Sequence, residues 1–309
     1  MKRVFLLLLS VILLLSPIAV FANERPVIGV AWRSDDMEAN YFFWEYILWE
    51  AGASAVPLAP VCLDGLDAPM DGMLDLPSAK RVRQNSWRCS NVQSVMDGVD
   101  AVFFSGGEDI SPTLLEVPQP SLNNGEPYCA ARDVSDYLLM SYCLDNDIPL
   151  LAVCRGMQML TVVSGGSLIQ DLGNACAANG LIYNDTHRMP ETVSGRDHAR
   201  HDIKVTDPSS HLGRIVAAED LANVASWHHQ AVTGLENTPL KVTGIHSANG
   251  LNVIEAVERT DRTFAIGVQF HPEVTCRRVL VDLADDPCDY DTCLRFFEEL
   301  ANQAACADD

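Results

Sequence analysis

The sequence predicts an α/β protein with a mostly parallel central sheet and a mixed or antiparallel C-terminal portion. Three observations predict it. Short β-rich runs alternate with amphipathic helical stretches through the first half, which is the pattern of parallel strands covered on both faces. Two turns, SGGED at 105–109 and VCRG at 153–156, follow buried apolar runs at the carboxyl ends of expected strands, where such sheets collect function. Later in the chain come the short strand-like runs HDIKVTD, LKVTGIH, LNVIEAVE and FAIGVQF.

The elements follow in order. Lys2 and Arg3 precede an apolar stretch from Val4 to Leu15 broken only by Ser10. Ser16 and Pro17 end it, and Val20-Phe21-Ala22 offers small residues at the −3 and −1 positions of a cleavage site. Residues 1–22 therefore read as a secretory signal peptide cut after Ala22. A retained membrane anchor is the poorer reading, because the stretch is short for a span. The rest, 23–309, is expected to form one exported domain, periplasmic or secreted, with no later run long enough to cross a bilayer.

RPVIGVAW (25–32) reads as the first strand, and 36–50 carries a helical apolar stripe that stops at Gly52. SAVPLAP (54–60) is a second strand. Residues 61–93 show no sustained period and read as an inserted surface excursion. GVDAVFFSGGEDISP (98–112) is a buried strand running into a glycine turn, and 131–145 is an amphipathic helix. A strand at 148–153 leads into a helix from about 156 to 164, whose Met157, Met159 and Leu160 read as core. A second insertion at 276–290 precedes a final helix at 291–304.

Hydrophobic residues make up 48% and charged residues 20%, enough for a buried core and too apolar for disorder. The net charge of −21, deepened by loss of Lys2 and Arg3, repels nucleic acid and anionic lipid; it identifies no substrate and reads first as a solubilising exported surface. Ten cysteines in an exported chain favour some disulfides, with Cys62–Cys89 and Cys288–Cys293 as candidate loop closures. If Cys154 stays free, an odd number remains, so at least one more is unpaired or joins another chain. No CxxC or Cys/His cluster has zinc spacing, and no metal is expected.

The chemistry centres on IPLLAVCRGMQML (148–160), where a thiol sits between a buried strand and a helix. A sharp turn there lifts Cys154 above the sheet, and the adjacent helix N-terminus favours a thiolate. The alternative is a buried structural cysteine. His271 in GVQFHPEV offers a base, and Glu273 is expected to share its strand face and orient the imidazole. Gly106 and Gly107 lack the Cβ that would block close approach of their N–H groups to an oxyanion, and the Arg155 N–H is the second expected donor. A plain tight turn explains the glycine pair alone.

Taken jointly, these stretches resemble class I glutamine amidotransferase-like proteins, and among them the γ-glutamyl-γ-aminobutyrate hydrolase family of cysteine peptidases. The matching runs are FFSGGEDISP, ARDVSDYLL, IPLLAVCRGMQML with GGSLIQDL, SWHHQAV and FAIGVQFHPE, in the family's order over roughly 26 to 275. The resemblance implies a flavodoxin-like sandwich, Cys154 as nucleophile, His271 as base, Glu273 as orienting acid, and an oxyanion hole from Gly106, Gly107 and Arg155. It also implies hydrolysis of a γ-glutamyl amide through a thioester, with no cofactor. One of His228 and His229 would border the substrate pocket with Gln230; Arg132 would bind substrate or, with Asp133, brace the site, unless Asp133 simply favours its helix N-terminus. Gln158, Gln170 and Asp171 read as structural hydrogen-bonders, and His187, His198 and His201 show no ligand spacing. Two other functions stay open: a glutaminase-type amidotransferase subunit and a non-catalytic γ-glutamyl-binding protein.

Overall fold

The computed structural model describes residues 25–34, 37–122, 126–184, 186–189, 197–248 and 250–306. The leader at 1–22 lies outside the described residues. The first half alternates as expected: β1 (Val27–Val30), α1 (Met37–Glu50), β2 (Ser54–Pro57), α2 (Leu76–Asn85), α3 (Val92–Val95), β3 (Ala101–Phe104), α4 (Ala130–Asp145), β4 (Leu150–Val153) and α5 (Arg155–Val163). Then come β5 (Ser167–Ile169), α6 (Leu172–Ala178), β6 (Ala199–Val205), α7 (His211–Val216), β7 (Asp220–Ser226) and β8 (Ala231–Thr233). The chain continues through β9 (Leu240–Ala248), β10 (Leu251–Arg259), β11 (Ala265–Val268), α8 (Pro272–Leu280) and α9 (Tyr290–Cys306).

Nine strands form one sheet in the order β2-β1-β3-β4-β11-β10-β9-β6-β7. The first five are parallel and the remaining pairings antiparallel. The parallel part has the flavodoxin-like order 2-1-3-4-5, with β11 as its fifth strand. FAIGVQF thus rejoins the parallel half beside β4. Strands β3, β4 and β11 are buried throughout, which is why they read as unbroken apolar runs.

Helices cover both faces. On one side α1 buries Trp44, Ile47 and Leu48, and α9 buries Cys293, Phe296, Phe297, Leu300, Ala301 and Ala304 at helical spacing. On the other side α4 and α5 form the first layer. Residues 61–93 correct the expectation of a surface excursion. Val61, Leu63, Leu74, Ala79, Val82 and Val92 are buried against the α4 layer. The Ser135 and Ser111 hydroxyls accept the Val61 and Leu74 N–H groups at 2.9 and 2.8 Å. The segment lacks one period because only α2, capped by Asp75 on the Ser78 N–H, is a full helix. The expected disulfides are not formed: all ten cysteines are thiols. Cys288 and Cys293 come closest to the expectation, with their sulfurs in contact at 3.6 Å rather than bonded at about 2.0 Å.

Candidate active site

Three neighbouring strands end at one place. β3 runs into Ser105-Gly106-Gly107, β4 into Cys154, and β11 into Gln269-Phe270-His271. Cys154 caps α5 with φ 53° and ψ −107°, a backbone conformation L-residues rarely adopt. Its N–H bonds the Val268 carbonyl at 2.7 Å and its carbonyl accepts the Gln158 N–H at 3.1 Å, so sheet and helix together hold the turn. The thiol points toward the Trp227 carbonyl, 3.9 Å away. Gly156 is required next door, since a Cβ there would lie 2.7 Å from the Phe104 carbonyl oxygen.

His271 and Glu273 do meet, but not as strand neighbours. Pro272 starts α8, so His271 caps that helix and Glu273 lies in its first turn. The Nδ1 of His271 is 2.7 Å from Glu273 Oε1. Burial alone pushes this imidazole pKa down. The charges of Glu273 and of the Cys154 sulfur overcome that and hold it well above the ordinary histidine value. With Nδ1 engaged by the carboxylate, Nε2 is the nitrogen left for the thiol side.

The glycine turn is fitted to the same spot. A Cβ on Gly106 would stand 2.8 Å from His271 Cε1 and 3.4 Å from Cys154 Cβ. A Cβ on Gly107, at φ +151°, would stand 1.9 Å from Arg132 Nη1. The Gly106 carbonyl accepts from Arg33 Nη1 at 2.8 Å and Arg132 Nη2 at 2.9 Å. Across a trans peptide the Gly107 N–H therefore points away from the buried Arg132 guanidinium. The Arg155 N–H, first in α5, is one of the helix donors without an intrahelical acceptor.

Arg132 is fully buried, so it braces the turn and does not reach a substrate. The Arg155 side chain is buried as well, bonding Asp133 Oδ1 at 2.6 Å and Asp136. Burial pushes Asp133 up to about 6 despite that partner. Glu108 is held below its usual value: burial raises it, and Arg132 and Arg155 more than offset this.

The other expected pocket residues, His228, His229 and Gln230, border one cavity but take different partners. His229 sits between Asp109 (Nε2, 3.1 Å) and Asp171 (Nδ1, 3.2 Å). Burial lowers its pKa and the two carboxylates raise it further, leaving a net rise. Gln230 bonds Gln170 at 3.3 Å. His229, Gln230 and Gln158 line a narrow cavity of about 50 Å³ behind Cys154. His228 turns its Nδ1 to the Gln230 carbonyl at 2.7 Å and its Nε2 into the interior.

The main cavity, about 590 Å³, is lined by Cys154, His271, Gly106 and Gly107, and by Arg33, Glu126, Trp227, His198 and Arg277. Of the last five, Trp227 lies in the SWHHQAV run with no role given to it there, and the other four carry no sequence signal, since isolated charges in loops and on helix surfaces look alike until the chain folds. His198 shows no ligand spacing in the sequence, yet its ring centroid lies 5.5 Å from that of His271.

A family model described as Peptidase C26 matches residues 85–273, more than half of the chain. The chain belongs to the Peptidase C26 family. Among curated relatives of this Peptidase C26 member, the protein NtpR of Enterococcus hirae is 35% identical over 181 residues, covering 58% of this chain and 69% of its own. The gamma-glutamyl-gamma-aminobutyrate hydrolase PuuD of Escherichia coli is 29% identical over 191 residues, covering 60% and 68%. A putative glutamine amidotransferase of Mycobacterium tuberculosis is 30% identical over 188 residues, covering 59% of this chain and 53% of its own, so that match spans about half the relative. The family and these relatives support a hydrolase of the γ-glutamyl hydrolase and glutamine amidotransferase group.

Proposed function

We propose that this Peptidase C26 member is an exported cysteine hydrolase of γ-glutamyl amides. The observation that carries the proposal is the convergence of the Cys154 turn with the His271–Glu273 pair, at 2.7 Å, on one cavity. The Cys154 proton passes to His271 Nε2, and the thiolate sulfur so formed attacks the γ-carbonyl carbon. The carbonyl oxygen becomes an oxyanion facing the Gly107 and Arg155 N–H groups. The C–N bond breaks, the amine leaves with the proton from His271, and a γ-glutamyl thioester remains. Water then gives a proton to His271 and its oxygen to the acyl carbon. Glutamate departs and the thiol is restored.

The cavity suits such a substrate. Arg33 and Arg277 offer cationic partners for an α-carboxylate, and Glu108 and Glu126 an anionic wall for an α-ammonium. Relatives described as putative glutamine amidotransferases favour glutamine itself as a second donor. The leader pattern at 1–22 supports export, which brings γ-linked peptides, polyglutamate and the γ-linked D-glutamate of cell-wall stem peptides within reach.

Glutamate release from a panel of L- and D-γ-glutamyl amides, with glutamine included, tests the reading. Wild-type turnover that disappears in Cys154→Ala is expected. Turnover of none, with tight binding of the same compounds, would replace the hydrolase with a binding protein.

A further inference from the structure

Beneath the WHHQ loop (227–230), away from the cysteine, four ionisable side chains converge in the interior. His187, His201, His228 and Glu255 are all buried, with exposures of 2, 6, 4 and 0%. They come from four separate places: the 186–189 segment, β6, the β7–β8 loop and β10. Each presents one ligand-type atom, and the four atoms lie within 4.8 Å of one another. Glu255 Oε1 is 3.1 Å from His187 Nδ1, 3.6 Å from His201 Nε2 and 3.7 Å from His228 Nε2.

Hydrogen bonding on the far side of the rings sets their tautomers. A carbonyl only accepts, so His228 donates its Nδ1–H to Gln230 O at 2.7 Å, and His201 donates its Nδ1–H to Asp202 O at 3.3 Å. In the neutral ring each Nε2 is then a bare lone pair, and both lone pairs face a carboxylate. Neither Glu255 oxygen nor any of the three ring nitrogens has a hydrogen-bond partner of good geometry. Acceptors facing acceptors in a buried interior are costly unless a cation stands among them. The second shell matches that demand, because metal-bound histidines characteristically donate their other N–H to a backbone carbonyl. The His187 carbonyl is itself held by the His228 N–H at 3.0 Å and the Ser226 hydroxyl at 2.9 Å, which fixes the position of that residue.

We propose that His187, His201, His228 and Glu255 form a structural binding site for a divalent transition-metal ion of the zinc class. Metal–ligand bonds of about 2.0–2.1 Å in a tetrahedron put ligand atoms about 3.4 Å apart, close to the three distances from Glu255. Three imidazoles and one carboxylate suit zinc rather than the all-oxygen sets of magnesium or calcium. His246 packs against His201 and His187, with ring centroids 4.4 and 5.2 Å apart, and stands outside the set of four. The ion ties the 227–230 loop to β6 and β10. That loop carries the Trp227 carbonyl facing Cys154 and the His229 and Gln230 side chains of the inner cavity. Its task is to hold the loop, and the proposal does not depend on the substrate.

Metal content of the purified chain, free of affinity-tag histidines, is the test. About one zinc-class ion per chain is expected by elemental analysis. Exchange with Co²⁺ should give the intense visible bands of tetrahedral cobalt, and removal with a strong chelator should lower Tm, with recovery on adding Zn²⁺. Glu255→Gln and His201→Ala should lose the ion, whereas His211→Ala, on the distant α7, should keep it. The cobalt spectrum needs no variant, so it reads the site even if both ligand variants fail to fold. No bound metal in wild type and no uptake of Zn²⁺ or Co²⁺ would overturn the proposal, leaving four side chains that share protons. An octahedral cobalt spectrum, or metal retained undiminished in both ligand variants, would overturn it equally.

Discussion

Replacing Glu273 by glutamine tests the pairing at the heart of the site. The substitution keeps the shape and removes the charge lying 2.7 Å from His271 Nδ1. Unit charges about 4 Å apart interact by about 4 kcal/mol at an effective dielectric near 20. The amide keeps a neutral hydrogen bond of about 1 kcal/mol, so about 3 kcal/mol of imidazolium stabilisation is lost. If the transition state draws on that stabilisation fully, kcat/KM falls about 100-fold. A second readout is the His271 ring itself, followed by NMR titration. Burial lowers its pKa, and the Glu273 and Cys154 charges raise it well above the ordinary value. Without the Glu273 term the burial effect gains weight and the imidazolium is lost at lower pH. The corresponding stability follows by linkage: the raised pKa gives a contribution that is complete below the ordinary histidine value and lost as pH climbs through the raised one. An E273Q variant within about threefold of wild-type kcat/KM, or a ring that titrates unchanged, would refute the orienting role.

Four further outcomes are expected. Gly106→Ala brings a Cβ to 2.8 Å from His271 Cε1, so turnover should fall at least about tenfold while Tm moves by only a few degrees, as read by rates beside thermal melts. Gly107→Ala collides with Arg132 at a positive φ and should cost about 2 kcal/mol or more in urea unfolding. Arg155→Met takes the cationic partner from buried Asp133 and leaves Asp136 only Arg132 at 3.5 Å, so it should cost about 3–5 kcal/mol, measured the same way. Mild oxidation should join Cys288 to Cys293, detectable by peptide mass, and the short loop so closed should add about 2 kcal/mol.

Legibility in the sequence follows how local each signal is. The Cys154 turn was readable because an apolar run of strand length met a helical stripe at one residue, and both elements depend on neighbours in the chain. His271 and Glu273 were readable as a pair, but their geometry was not. Strand alternation was carried to Glu273, although β11 ends at Val268 and Pro272 starts a helix. The 61–93 layer hid because its buried residues are spaced by turns rather than by a period. Arg132 was open to two readings, and only its burial against the glycine turn decides for the brace. The His187–His201–His228–Glu255 cluster left no trace, since zinc spacing rules describe ligands close in sequence and these are brought together by sheet pairing. His201 and Glu255 lie on β6 and β10, two strands separated by β9.

The buried charges beneath the site have a geometric logic that apolar packing does not provide. Helix α4 carries Arg132, Asp133 and Asp136 within its first two turns. Arg132 holds the Gly106 carbonyl, which turns the Gly107 N–H away from it. Asp133 and Asp136 hold the side chain of Arg155, whose N–H begins α5. The two donors proposed for the oxyanion therefore hang from one helix, although they belong to turns after different strands. A small shift of α4 moves both together and preserves their separation, which is the quantity an oxyanion hole depends on. Apolar side chains of equal volume would fill the same space at no desolvation cost, but they have no directional hold on a carbonyl or a guanidinium. An Arg132→Met variant is the way to separate the two roles. It takes the Arg132 partner from Glu108 and leaves Asp136 to Arg155, so thermal melting checks the fold first, and in the folded variant kcat should fall far more than KM rises. A change confined to KM would show that Arg132 acts on the substrate's ground state and not through the turn.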